Sequence, residues 1–177
     1  VCGQARWSEF AAVSGDPAIQ VHAQAHVGSV AVPGVSADLA AFDALRVSPR
    51  RVFLRFGVRP SAGWTLSRAV LALAPHPAWR PSTTPVHLLA RGVRSPWSPR
   101  AVAEGYLPVL SEDTVGVTLP AGLRCPARID VTPLFRGGIA ETMALGIALE
   151  TDRGEAVFVG TAANDRADRP HLEIMLR

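Results

Sequence analysis

Apolar residues recur at every second position through most of this chain, and almost nowhere at the spacing of a helix. In 51–58, Val52, Leu54, Phe56 and Val58 alternate with Phe53 and Arg55. That is a strand with one face in a core and a mixed face opposite. On the mixed face Arg55 is expected to salt-bridge to an adjacent strand. Residues 65–74 give a second apolar strand, and Pro60, Ser61, Ala62 and Gly63 supply the turn before it. In 19–27, Ile19, Val21, Ala23, Ala25 and Val27 take one face, while Gln20, His22, Gln24 and His26 take the other. A half-exposed first strand of this kind belongs at a sheet edge or against another chain.

The same reading places shorter strands at 45–47, 86–91, 114–119, 128–132, 143–149, 155–160 and 171–177. Met143, Leu145, Ile147 and Leu149 form one buried face, and Leu172, Ile174 and Leu176 form another. Asp152-Arg153-Gly154 reads as a hairpin-type turn, and Leu134-Phe135 are expected to tuck under the sheet. Nine or ten short strands without a helix predict an all-β, antiparallel two-sheet β-sandwich of jelly-roll type. The 177 residues suit one domain over 1–177, with 1–27 as a segment able to pair with a neighbouring subunit. Fifteen Pro and fifteen Gly agree with many turns.

Charge and cysteine content change the picture in two ways. The net charge is +3, and every one of the 18 basic residues is Arg. They are scattered, whereas a nucleic-acid surface needs a clustered stripe, so no nucleic-acid partner is expected. No apolar run reaches about 18 residues, so no membrane span is expected. The chain opens on Val1 rather than Met, which fits removal of a leader and a secreted or cell-surface location. Cys2 and Cys125 are the only cysteines, and a pair suits an oxidising compartment. A disulfide between them would close a long loop, worth roughly 4–5 kcal/mol in the chain-entropy account. The alternatives are two unrelated thiols, or a lipid on Cys2, for which Val1 is a poor preceding residue.

Several landmarks then fall in a fixed order. They are Phe53-Leu54-Arg55-Phe56, Ser67 to Leu73, a strand bearing His87, Trp97-Ser98, Asp130-Val131-Thr132 and Arg169-Pro170. Over about 45–177 this order resembles the DNRLRE family of bacterial and archaeal extracellular domains. The chain departs from the pattern at Gly57, where an acidic residue is usual, and at Tyr106, in place of a second Trp. The resemblance implies a jelly roll related to carbohydrate-binding modules and similar in outline to the TGF-β propeptide. It also implies a non-catalytic module associated with a wall, matrix or polysaccharide.

The chemistry-bearing residues agree with a non-enzyme. Gly-x-Ser-x-Gly, His-Glu-x-x-His, a phosphate loop and Cys-x-x-Cys are all missing. His22 and His26 share a strand face but stand roughly 13 Å apart at about 3.3 Å per residue, too far for one metal ion. His76, His87 and His171 read as hydrogen-bonded or exposed, and Glu112-Asp113 and Asp165-Asp168 as solvated loop acids. No cofactor or metal is expected; the one candidate, a weak Ca²⁺ set, is Asn164, Asp165 and Asp168.

Aromatics remain as recognition elements. Trp64, Trp79, Trp97 and Tyr106 all fall in predicted turns or loops, where sugar rings can stack on them. Arg94 and Arg100 flank Trp97 and would pair with uronate or sulfate groups. The competing reading has Trp97 and Tyr106 plugging the end of the sandwich. The sequence therefore points first to a secreted structural or adhesive module that assembles with itself or the cell envelope as a filament or matrix. Second comes a carbohydrate-binding module for a wall or matrix polysaccharide. A polysaccharide-degrading enzyme comes third, because no acid/base pair is evident.

Overall fold

The alternation is realised in ten strands. The structure, a computed structural model, describes residues 19–31, 44–47, 50–56, 65–98, 101–102, 104–136, 138, 141–142, 145–160 and 168–176. In chain order the strands are β1 (Ile19–Ala31), β2 (Ala44–Val47), β3 (Arg50–Phe56), β4 (Leu66–Leu73), β5 (Val86–Val93), β6 (Leu110–Leu119), β7 (Ala127–Asp130), β8 (Ile147–Arg153), β9 (Ala156–Val159) and β10 (His171–Leu176). All their pairings are antiparallel. The order is β6-β5-β8-β3-β1-β10-β4-β7, with β2-β9 as a separate pair.

β1 links two groups of strands. Its first half, residues 19–24, pairs with β10, and its second half, residues 25–31, pairs with β3. Ile19, Val21, Ala23, Ala25 and Val27 were expected on a strand open to a neighbour. They lie on a strand that pairs within its own chain, each half keeping one strand partner among the described residues.

Inward-facing side chains of both groups meet in one core. Val52, Leu54 and Phe56 of β3, Leu88 of β5 and Ile147 and Leu149 of β8 pack with Leu71 and Leu73 of β4 and Leu172 and Ile174 of β10. Two facing layers of antiparallel strands with a shared apolar interior fit a β-sandwich. The interior is close-packed enough that a single truncation such as Leu54→Ala carries a cost of about 2–5 kcal/mol. Gly146, at the entry to β8, shows how tightly β3 and β8 meet. Its φ is 94°, and a Cβ there would fall 2.0 Å from the Leu54 carbonyl oxygen.

The loop after β7 explains why Asp130, Val131 and Thr132 stand together. Asp130 Oδ1 accepts hydrogen bonds from the Thr132 N–H at 3.1 Å and from Thr132 Oγ1 at 2.6 Å. Thr132 Oγ1 in turn accepts from the Ala69 N–H of β4 at 2.9 Å. This pins a 3-10 turn, Thr132–Phe135, which delivers Leu134 and Phe135 into the core as expected.

Three local expectations need correction. Asp152-Arg153-Gly154 does not close a hairpin, because β8 beside the turn pairs with β5 and β9 leaves to pair with β2. Glu112 and Asp113 are exposed residues of β6, which begins at Leu110, rather than loop acids. Among the described residues Arg55 forms no bridge to a neighbouring strand; it turns to Trp97, as described below. The turn at Pro60, Ser61, Ala62 and Gly63 lies outside the described residues.

Candidate functional site

The β2-β9 pair builds one end of the molecule. The chain leaving β4 runs along the far side of β9. There Val159 N donates to Ala74 O at 2.8 Å, Pro75 bridges Phe158, and His76 N donates to Val157 O at 3.0 Å. The prolines at 75, 77 and 81 then prevent a continuing strand. A turn forms instead, with Trp79 N donating to His76 O at 3.0 Å and Ala78 N donating to His76 Nδ1 at 3.3 Å. Because Nδ1 accepts, the proton of the neutral ring sits on Nε2.

This turn places Trp79 against a cleft of about 280 Å³. The opposite side is formed by Leu119, Pro120, Leu123 and Arg124, and Glu155 and Phe158 also line it. Arg46, at the outward position of β2, lies over the Trp79 ring with its guanidinium carbon 4.9 Å from the centroid. Its Nε meets Glu155 Oε1 at 3.0 Å. One guanidinium thus steadies both an aromatic ring and a carboxylate. Arg124 is exposed at the rim. The cleft offers an aromatic surface, apolar walls, a carboxylate acceptor and one cationic donor, Arg124, a combination suited to a polar ligand with C–H faces.

Trp97 sits elsewhere and differently. Phe53 and Ala148 fall between core-facing residues of β3 and β8, so they project from the opposite face of those strands. On that face they form a second apolar cluster with Val93, Trp97 and Val102. Trp97 is only 6% exposed. Its ring centroid is 5.6 Å from that of Phe53, and its Nε1–H donates to Leu145 O at 2.6 Å. Arg55 lies over the indole at 5.4 Å and donates to Trp97 O at 3.2 Å. Trp97 therefore has no open ring face to offer a sugar and covers the outer side of the β3-β8 pair. Tyr106 is 44% exposed, with its hydroxyl 3.3 Å from Ser95 Oγ, and Arg94 is exposed beside it.

Of the expected recognition residues, then, only Trp79 lines the cleft. Trp97, Tyr106 and Arg94 belong to the β5-β6 connection, and Trp64 and Arg100 lie outside the described residues. Arg46, His76, Arg124 and Glu155 were not anticipated. The signal for them was the β2-β9 pairing, which no local pattern announces. Cys125 is disulfide-bonded; Cys2 lies outside the described residues. Asn164 and Asp165 also lie outside them. Among the described residues no three His, Cys, Asp or Glu are grouped to hold a metal ion, and no helix is long and apolar enough to cross a membrane.

Most other charges are paired on the strands' outer faces. Arg51 and Arg91 flank Glu150, with Arg51 Nη2 at 2.6 Å, and His87 Nδ1 lies 2.7 Å from Asp152 Oδ2. The most enclosed group is Glu173, 4% exposed on β10. It takes a two-pronged contact from Arg128 of β7, and His171 Nε2 stands 3.4 Å from its Oε1. The hydrogen bond to Glu173 raises the His171 pKa above its ordinary 6.5, against the opposing effect of burial. Burial pushes the Glu173 carboxyl up, but hydrogen bonds from His171 and Arg128 outweigh it and hold the group below 4.5. This cluster is saturated with partners, so it reads as structural.

A scan against models of protein families finds no match, and a search of curated proteins finds none either. The DNRLRE resemblance therefore rests on the motifs that carry it.

Proposed function

We propose that this chain is a non-catalytic, extracellular β-sandwich of jelly-roll type that binds a carbohydrate chain in the Trp79 cleft. The observation that carries the reading is the half-buried Trp79 lining a cleft beside the Arg46–Glu155 pair. Sugar C–H groups pack on indole, while hydroxyls find carboxylate and guanidinium partners. The jelly-roll reading is supported by the order β1-β10-β4-β7 in one group and β3-β8-β5-β6 in the other. Consecutive strands cross between the groups from β3 to β5 and again from β6 to β8. A disulfide-bonded Cys125 supports an oxidising, extracellular setting. Carboxylates held in ion pairs with arginine, as Glu150, Glu155 and Glu173 are, support a binding role over acid/base catalysis.

The test is affinity electrophoresis through gels loaded with soluble wall and matrix polysaccharides. At least one polysaccharide should retard the protein, and Trp79→Ala should abolish the retardation. Equal retardation of Trp79→Ala, or none with any polysaccharide, sinks the reading. A second reading, a structural or adhesive module that builds a filament or matrix, is favoured by β1, whose halves each keep a strand on one side only among the described residues. Electron microscopy of the native protein decides it, because filaments are visible directly.

A further inference from the structure

The polar groups around the Trp79 cleft are unequally occupied. Glu155 supplies the one carboxylate among the described lining residues, and Arg46 Nε already meets it at 3.0 Å. The Arg46 guanidinium is further engaged by the Trp79 ring, 4.9 Å from its centroid. The Ser82 hydroxyl donates to Thr84 O at 2.7 Å and accepts from Thr84 N at 3.2 Å. His76 and Arg124 are left with donors to offer. His76 accepts at Nδ1, so its Nε2–H still needs an acceptor. Arg124 is exposed and enters no ion pair among the described residues. Its loop is fastened on both sides of it. Gly122 N donates to Ser82 O at 2.9 Å, tying this wall to the segment that carries Trp79. Cys125, the next residue, is disulfide-bonded. A guanidinium on a tethered loop loses less freedom when it grips a ligand.

We propose that the cleft selects an anionic sugar residue, one bearing a carboxylate or a sulfate ester, and that Arg124 is the residue that selects it. The inference rests on the cleft reading above and names the ligand class within it. The C–H face of the sugar packs on Trp79, and its anionic group reaches the opposite wall at Arg124, with the His76 Nε2–H as a second donor. The planar guanidinium fork meets carboxylate oxygens two at a time and sulfate oxygens in the same way. A cationic sugar finds no match, because the Glu155 charge is already balanced by Arg46. A neutral sugar leaves the Arg124 charge to water.

The size of the cleft sharpens this selection. A volume of about 280 Å³ lies at the low end for small-molecule sites, so few contacts are made and one charged contact carries much of the choice. Overall charge is a separate effect. The net +3 is spread over the chain, and exposed arginines such as Arg94 stand away from the cleft. Selection by the cleft therefore depends on Arg124 and not on Arg94, whereas attraction by net charge depends on both alike.

Equilibrium binding of the full chain to immobilised polysaccharides tests this in chemically matched pairs. The pairs are alginate with carboxyl-reduced alginate, polygalacturonate with its methyl ester, and dextran sulfate with dextran. Circular dichroism confirms that each variant is folded. The native chain should bind at least one acidic member about tenfold or more tighter than its neutral counterpart. The pair that shows the preference tells carboxylate from sulfate. Arg124→Gln should erase the preference, Arg94→Gln should keep it, and Trp79→Ala should abolish binding. Equal binding of acidic and neutral members overturns the proposal. So does a preference that survives Arg124→Gln, or one that Arg94→Gln reduces as much. If Trp79→Ala still abolishes binding in those cases, the cleft reading stands and only its acidic selectivity falls. Absence of binding to every member, neutral ones included, removes both.

Discussion

Trp79 and Trp97 have similar surroundings in sequence and in local contact. Each lies in a proline-bearing connection, and each carries an arginine over its ring, Arg46 at 4.9 Å and Arg55 at 5.4 Å. They differ in what lies beneath. Under Trp97 is the outer face of β3 and β8, with Phe53 and Ala148 waiting to be covered. Beside Trp79 is the end of the sandwich, where the β2-β9 pair and the close of β6 leave a cleft. The arginine serves a closed packing unit in one case and the wall of an open site in the other. A cation over an indole therefore marks neither a ligand site nor a structural plug; the surface the ring rests on decides between them.

The largest effect that would break this contrast is the loss of Trp97. Trp97→Ala should lower unfolding free energy by about 3–5 kcal/mol in urea titrations, through the lost ring and the exposed Phe53. A loss below about 1 kcal/mol would mean that the indole covers little. Next is Glu173→Ala, which removes the enclosed carboxylate and its hydrogen bonds from Arg128 and His171 and should cost about 2 kcal/mol by the same assay. Trp79→Ala should cost less, about 1–2 kcal/mol, because its ring is part-solvated and its Arg46 partner is exposed. A cost equal to that of Trp97→Ala would make both rings packing elements.

The subtlest expected effect is a pH dependence confined to the Glu173 cluster. Glu173 has a lowered pKa in the fold, so its contribution is present above about 4.5 and fades as pH falls through its folded value. His171 has a raised pKa, so its contribution is full below about 6.5 and is lost as pH rises through its folded value. The cluster thus stabilises most between these two limits. Stability measured from pH 3 to 9 should lose part of its alkaline decline in His171→Gln. An unchanged alkaline limb in that variant would show that His171 does not gain a proton on folding.

How much of this could be read in the sequence follows from what alternation encodes. Val52, Leu54 and Phe56, or Leu172 and Ile174, declare a strand and its inner face, and most strands were legible in this way; the strand expected over 143–149 instead runs Ile147–Arg153, with Leu145 before it. Alternation says nothing about which strands become neighbours. For that reason the Asp152–Gly154 turn looked like a hairpin, while β8 beside it in fact pairs with β5 and β9 leaves to pair with β2. The same blindness hid most of the cleft, because Arg46 and Glu155 meet only once β2 has paired with β9. Trp97, expected either to meet a sugar or to plug the sandwich, could not be placed from sequence for a different reason. Loop residues have no period to reveal a face, and the apolar patch awaiting Trp97 is made of Phe53 and Ala148, which strand pattern assigns to a mixed outer surface.

The split pairing of β1 also has a consequence in time. Among the described residues its first half pairs only with β10, so Ile19 meets Leu176 and Gln24 meets His171. During synthesis β1 emerges well before β10 and must wait for it before that half can be seated. Until then β10 is also missing from the side of β4, and one of the two layers stays unassembled while the other can begin to form. The pairing of β1 with β10 is thus a long-range contact that forms only after the eight strands between them have been made.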